Sequence, residues 1–116
     1  MKTLDEKSDV LIAVASYNEA ANIKDLVSRI RNACGSSIDI LVVDDNSPDG
    51  TQNVISLLQV NDKNLHLVGR EYKLGLGSAH KMIFAFAIAN NYEKVVTLDA
   101  DLSHRPEEIP KLLERS

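Results

Sequence analysis

The sequence predicts an α/β fold in which a parallel sheet is covered by helices on both faces. Three observations support this class. Four short apolar runs are rich in β-branched residues, each is followed by a segment with helical periodicity, and polar or glycine-containing loops separate them. The 116 residues provide one domain with one core, and 44% hydrophobic and 26% charged residues are typical of a globular chain.

The first strand–helix unit begins at residue 10. Residues 10–15 form a continuous apolar run, which is typical of a buried strand. The apolar residues that follow recur at helical spacing and predict an amphipathic helix with Asn18 as its N-cap, ending near Gly35. The inward positions of this helix are Ile23, Leu26, Val27 and Ile30.

The second unit has the same order. Residues 38–43 predict a buried strand that runs into the acidic turn of residues 44–50. Asp49 and Gln52 are three residues apart, as in a capping box, and therefore predict the start of a second helix. The Pro and Gly within the turn have clear backbone roles.

Two further units complete the alternation. The predicted elements are a strand at 65–68, a helix from Ser78 to near Asn90, a strand at 94–98 and a helix that begins at Pro106. Strands that alternate with helices form parallel sheets through right-handed crossovers, so the carboxyl ends of all four strands share one edge.

Unusual polar groups follow every predicted strand. Ligands of such sheets bind beyond the carboxyl ends of the strands. We therefore expect this edge to be a binding site, whereas the opposite edge carries ordinary turn residues. The groups are Tyr17 and Glu19 after the first strand, Asp44 and Asp45 after the second, Gly75 and Gly77 after the third, and Asp99 and Asp101 after the fourth.

The segment Asp99-Ala100-Asp101 gives the edge its most specific chemistry. In an extended backbone, residues two apart lie on one side, and the small Ala100 between them permits close approach of a ligand. Two adjacent carboxylates suit a hard cation, Mg²⁺ or Mn²⁺, shared with a diphosphate. The alternative interpretation is an acidic turn in which one aspartate caps the next helix.

Two other segments allow a structural and a functional interpretation. Asp44 could accept hydrogen bonds from a base or ribose, or simply end a strand. The loop around Gly75 and Gly77 fails the dinucleotide-binding pattern, because His80 occupies the third glycine position and the loop follows the third strand. It could instead place helix amides near an anion, or serve only as a flexible connector.

Composition excludes several classes of protein. The net charge is −4 and no basic block occurs, so nucleic acid is not expected as a partner. The single Cys34 excludes an internal disulfide. Residues 1–9 are polar and unlike a signal peptide, and no apolar stretch has the length to cross a bilayer. These features predict a cytoplasmic location, which still allows docking on a membrane.

Taken together, the motifs resemble those of family-2 glycosyltransferases of the GT-A fold, of the dolichyl-phosphate mannosyltransferase type. The resemblance covers nearly the whole chain from residue 10 onward, and the motifs stand in the family's order. It implies a Rossmann-like sheet that forms the nucleotide-binding half of a GT-A fold. The matching motifs are SYNEAANI at 16–23, VVDDNSPDGT at 42–51, KLGLGSA at 73–79 and DADLSH at 99–104.

The resemblance also implies a reaction and its residues. Mannose would pass from GDP-mannose to a polyprenyl phosphate such as dolichyl phosphate, with inversion at the sugar carbon. Asp99 and Asp101 would be catalytic and would hold Mg²⁺ or Mn²⁺ against the diphosphate, while Tyr17 and Glu19 with Asp44 would hold the base and ribose. The full set implied to bind the nucleotide sugar is Ser16, Tyr17, Glu19, Asp44, Asp45, Lys73, Gly75, Asp99, Ala100 and Asp101.

The sequence departs from the family pattern at both ends. Ala15 and Ser16 precede Tyr17 where the family usually has Pro-Thr. The family also continues beyond residue 116 with an acceptor-binding part, so we expect a polar tail at 1–9 and a truncated nucleotide-sugar-binding domain at 10–116. The strand at 94–98 would then lack the neighbours that normally cover it, which predicts a marginally stable fold, a partner or self-association. Peripheral contact with a membrane is the other expected association.

The sequence features suggest two other functions. A binding module that holds the nucleotide sugar without transferring it is the alternative to the enzyme. A phosphoacceptor receiver domain is rejected, because its acidic pair follows the first strand, whereas Asp44 and Asp45 follow the second.

Overall fold

The computed structural model describes residues 9–45, 47–70, 76–99 and 105–114. Strands and helices alternate within these ranges, which confirms the predicted order and fold class. The elements are β1 (Val10–Ser16), α1 (Ala20–Cys34), β2 (Asp39–Asp44), α2 (Thr51–Gln59), β3 (Leu65–Gly69), α3 (Leu76–Ala89), β4 (Lys94–Asp99), a 3₁₀ turn (Pro106–Glu108) and α4 (Ile109–Glu114).

The four strands form one parallel sheet in the order β3-β2-β1-β4. The chain adds β2 and β3 on one side of β1 and then returns to place β4 on its other side. The order therefore reverses between β1 and β4, and the crevice at such a reversal is where sheets of this type bind ligands.

Alternate residues of the strands face two separate apolar cores. On β1, Ile12 and Val14 face the core that α1, α2 and α4 cover, while Leu11 and Ala13 face the core that α3 covers. All four of these side chains are fully buried. The structure thus confirms helices on both faces of the sheet. In the part of the chain that it describes, no helix combines the length and apolar character needed to cross a membrane.

Two of the predicted helix caps are wrong. Asn18 has a φ of 56° and precedes Glu19, which is the residue at the N-cap of α1. The capping box is also absent, because Gly50 is the N-cap of α2. The side chain of Gln52 instead donates to Asp44, an interaction that local sequence spacing does not reveal.

Asp39 anchors the amino-terminal edge of the sheet. Its side chain is buried, its Oδ2 accepts a hydrogen bond of 2.6 Å from the Tyr92 hydroxyl, and His66 Nε2 lies 3.2 Å from its Oδ1. The Phe86 ring stacks on Tyr92 with 6.3 Å between centroids. Burial, followed by the hydrogen bond to Asp39, raises the pKa of Tyr92. This cluster joins β2 and β3 to the turn that follows α3.

Replacing Tyr92 with Phe tests this cluster. We expect Tyr92→Phe to lower the free energy of unfolding by about 1–3 kcal/mol, because Asp39 loses one of its hydrogen-bond donors while it stays buried. The folded state holds the phenol proton more tightly than the unfolded chain does. The stabilisation is therefore complete below the ordinary tyrosine pKa of about 10 and is lost as the pH rises above it.

The measurement is urea unfolding between neutral and strongly alkaline pH. The wild type should lose more stability than Tyr92→Phe as the pH passes about 10. Equal alkaline losses in the two proteins would contradict the proposed strength of the Tyr92–Asp39 hydrogen bond.

Candidate functional site

The carboxyl ends of β1, β2 and β4 lie side by side at the point where the strand order reverses. Ser16, the last residue of β1, is paired with Asp44 at the end of β2. On the other side of β1, Ala15 is paired with Asp99, the last residue of β4. The structure therefore brings the ends of three predicted acidic or polar segments to one edge of the sheet.

Asp44 is fully buried and is hydrogen-bonded within the protein. Its Oδ1 accepts hydrogen bonds from the hydroxyls of Ser16 at 2.8 Å and Ser47 at 2.5 Å. Its Oδ2 accepts from the Ser47 amide at 2.9 Å and from Gln52 Nε2 at 3.0 Å. This carboxylate therefore joins the end of β1 to the loop and helix that follow β2.

Gly69 makes room for the contact between Gln52 and Asp44. A Cβ atom at position 69 would lie 2.7 Å from Gln52 Oε1 and 2.9 Å from its Nε2. These distances are far shorter than van der Waals contact, so a larger residue would displace the amide that donates to Asp44. The sequence predicts a capping-box role for Gln52 instead of this contact, and it predicts no role for Gly69.

Asp45 forms a buried ion pair with Arg70, the residue after β3. The Arg70 Nε donates to Asp45 Oδ1 at 2.5 Å, and Nη2 contacts the same oxygen. The Arg70 Nη1 donates to the Ser78 hydroxyl at 2.7 Å, and its backbone amide donates to the Asp44 carbonyl at 2.8 Å. One guanidinium thus connects β2 with the first turn of α3.

Arg70 was missed in the sequence analysis. Its position one residue past the third strand was the only available signal, and a single charged residue there is usually solvated. Its role depends on Asp45, which lies 25 residues earlier.

The loop after β1 carries the exposed part of this edge. Tyr17 is 36% exposed, and Glu19 is partly exposed with its Oε2 accepting a hydrogen bond of 3.0 Å from Asn22 Nδ2. Two cross-loop hydrogen bonds hold this segment: the Asn18 amide donates to Ser47 Oγ at 2.8 Å, and the Ala20 amide donates to Asp49 Oδ2 at 3.0 Å.

The remaining predicted site residues divide by location. Asp99 ends β4 at the strand-order reversal. Lys73, Gly75, Ala100 and Asp101 lie outside the described residues. Of the predicted set, Ser16, Tyr17, Asp44 and Asp45 are brought together directly, with Glu19 two residues beyond Tyr17.

The sequence of this chain matches that of a known protein family. Residues 11–116 match the profile described as glycosyl transferase family 2. The chain belongs to this family. The match begins at the second residue of β1 and continues past α4, so it spans the sheet and the helices that the structure describes.

Curated family 2 relatives share substantial sequence with the chain. It is 40% identical over 105 residues to the undecaprenyl-phosphate mannosyltransferase of Micrococcus luteus. This alignment covers 90% of this chain and 43% of the relative. It is also 40% identical over 105 residues to the polyprenol monophosphomannose synthase of Mycolicibacterium smegmatis, covering 39% of that protein. The chain therefore spans less than half the length of these relatives.

A solved structure supports the family 2 fold. A mannosyltransferase from Pyrobaculum calidifontis, in complex with GDP-Man and Mn²⁺, superimposes with a TM-score of 0.71 at 27% identity. The match covers 84% of this chain and 28% of that one. The GT-A assignment made from the motifs is thus confirmed.

Replacing Arg70 tests the buried ion pair of this family 2 chain. We expect Arg70→Met to lower the free energy of unfolding by about 3–5 kcal/mol, because the Asp45 carboxylate then stays buried without the guanidinium. Substituting both partners, as Asp45→Asn with Arg70→Met, should recover much of the loss. The measurement is a double-mutant cycle by chemical denaturation.

Arg29 provides the matched control. It forms a two-pronged ion pair with Glu107, but both side chains are solvent-exposed to a large extent, at 30% and 48%. Arg29→Met should therefore change stability only slightly. If Arg70→Met were no more destabilising than Arg29→Met, the structural role of the buried pair would be wrong.

Proposed function

We propose that this chain holds the nucleotide-sugar-binding part of an inverting, metal-dependent glycosyltransferase. The donor is GDP-mannose and the acceptor is a polyprenyl phosphate. The observation that carries the proposal is the register at the strand-order reversal, which aligns Ser16 with Asp44 and Ala15 with Asp99. With this register, the polar carboxyl ends of β1, β2 and β4 lie next to one another at the crevice where the strand order reverses.

The donor and acceptor classes are supported by the relatives. Proteins 40% identical to this chain are named for mannosyl transfer to undecaprenyl phosphate and for polyprenol monophosphomannose synthesis. The structural neighbour at 27% identity was solved with GDP-Man and Mn²⁺. Residues 10–116 are proposed as the nucleotide-sugar-binding domain, preceded by a polar tail at 1–9.

The side chains divide into two roles under this proposal. Tyr17 and Glu19 contact the base and ribose, since Tyr17 is exposed and Glu19 is partly exposed in the loop that follows β1. Ser16, Asp44 and Asp45 shape the floor of the site through the hydrogen bonds and ion pair that they form. Lys73, Gly75 and Ala100 complete the proposed donor site.

The proposed metal ligands are Asp99 and Asp101. Their carboxylate oxygens are the ligands that Mg²⁺ and Mn²⁺ prefer, and Asp99 lies next to β1 at the end of β4, so the donor set fits a hard divalent cation. A bound cation supplies positive charge that offsets the charge developing on the leaving diphosphate. Asp99 and Asp101 would hold this cation.

The acceptor makes few demands on a general base. A phosphate monoester is already anionic near neutral pH, so its oxygen attacks the sugar carbon without first losing a proton to a side chain. The attacking oxygen forms a bond to that carbon while the bond to the GDP leaving group breaks, which inverts the configuration. A polyprenyl acceptor also implies peripheral contact with the cytoplasmic face of a membrane.

Calorimetric titration of the chain tests the donor site. We expect GDP to bind more tightly than UDP in the presence of Mn²⁺, and EDTA to abolish most of the affinity. Asp101→Ala should weaken binding of GDP with Mn²⁺ roughly tenfold or more, a loss of about 1.4 kcal/mol for each tenfold. Retention of full affinity in Asp101→Ala would contradict the assignment of the metal ligands.

Asp62→Asn is the matched control. Asp62 pairs with Arg31 in the turn before β3, at the opposite edge of the sheet. Its substitution removes one carboxylate without touching the crevice, so GDP affinity should stay at the wild-type value. A transfer assay with GDP-mannose and undecaprenyl phosphate separates the enzyme from the alternative, a module that only binds the nucleotide sugar.

A further inference from the structure

We propose that Ser47 and Asp49 are positioning residues that hold the loop of Tyr17, Asn18 and Glu19 in its nucleotide-binding conformation. This inference rests on the proposed function, since it concerns how the same site is prepared for its ligand. Both residues lie in the loop between β2 and α2, and both accept a hydrogen bond from the backbone that follows β1.

The Ser47 hydroxyl links the buried edge of the sheet to this loop. It donates to Asp44 Oδ1 at 2.5 Å and accepts the Asn18 amide at 2.8 Å. Because Asp44 is fully buried and hydrogen-bonded, the orientation of the hydroxyl is set by the sheet itself. The position of Asn18 therefore follows from the end of β2.

Asp49 holds two helix starts with one carboxylate. Its Oδ1 accepts from the Thr51 amide at 3.1 Å and the Thr51 hydroxyl at 2.5 Å, while its Oδ2 accepts the Ala20 amide at 3.0 Å. The Glu19 side chain makes no capping hydrogen bond at α1. Asp49 therefore accepts the hydrogen bond of the Ala20 amide, a helix-start donor that has no acceptor within the helix. The hydrogen bonds from Thr51 and Ala20 lower the pKa of Asp49.

Asn18 shows why the loop needs this support. Its φ of 56° lies in the left-handed region, which residues other than glycine adopt at a cost in free energy. The hydrogen bonds from the Asn18 and Ala20 amides lie on either side of Glu19 and oppose relaxation of this conformation. Loss of either bond would let Tyr17 and Glu19 leave the crevice.

Asp49→Asn separates the two roles of Asp49. The single carbonyl oxygen of asparagine still accepts from Thr51, whereas its NH₂ group cannot accept the Ala20 amide. Ser47→Ala removes the link to Asn18, and Ser47→Thr restores a hydroxyl. The probe is GDP with Mn²⁺, measured by calorimetry well below the unfolding midpoint of every variant.

We expect Asp49→Asn and Ser47→Ala each to raise the Kd for GDP with Mn²⁺ roughly three- to tenfold, the effect of one net hydrogen bond. Ser47→Thr should return the Kd close to the wild-type value. Asp62→Asn serves as the control for stability, because it weakens the Arg31 ion pair at the far edge and should leave the Kd unchanged.

The outcomes separate this inference from the proposed function. Wild-type affinity in folded Asp49→Asn and Ser47→Ala would overturn the positioning role and leave the donor site intact. A fold-change in Asp62→Asn equal to theirs would also overturn it, since the loss would then follow stability. Failure of the wild type to bind GDP with Mn²⁺ would overturn the proposed function, and the positioning role with it.

Discussion

The carboxyl end of the sheet depends on the hydrogen bonds that the buried Asp44 carboxylate accepts. A carboxylate removed from water is costly unless donors surround it, and here hydroxyl and amide donors reach both of its oxygens. Those donors come from Ser16, Ser47 and Gln52, which belong to different segments. Because all of these donors bind the one Asp44 carboxylate, they fix the relative positions of the end of β1, the loop after β2 and the start of α2.

The adjacent Asp45 extends the same constraint to the other face of the sheet. Its partner is a guanidinium, and Arg70 also contacts Ser78 in α3 and the Asp44 carbonyl. Neighbouring acids with different partners thus tie helices from both layers to one end of the sheet. The part of this edge that the structure describes is held in place by its own internal contacts, and under the proposed function binding would spend little free energy on ordering it.

Hydrophobic periodicity was enough to predict the strands, the helices and their placement on two faces, because burial decides those features locally. The caps were not predictable in this way. Asn18 and Asp49 follow local capping patterns, yet their hydrogen bonds join segments 29 residues apart. The roles of Arg70 and Gln52 likewise depend on the buried carboxylates of Asp45 and Asp44, and no spacing in the sequence indicates those pairs.

A buried acid lies at each end of the sheet, and donors of the protein itself occupy its oxygens. Asp39 at one edge and Asp44 at the other are both buried and both hydrogen-bonded within the protein. For Asp44 to bind a ribose, it would have to exchange internal donors for ligand hydroxyls, with no net gain in hydrogen bonds. In our proposal the exposed Tyr17 and the partly exposed Glu19 contact the ligand, whereas Asp44 positions their loop through Ser47.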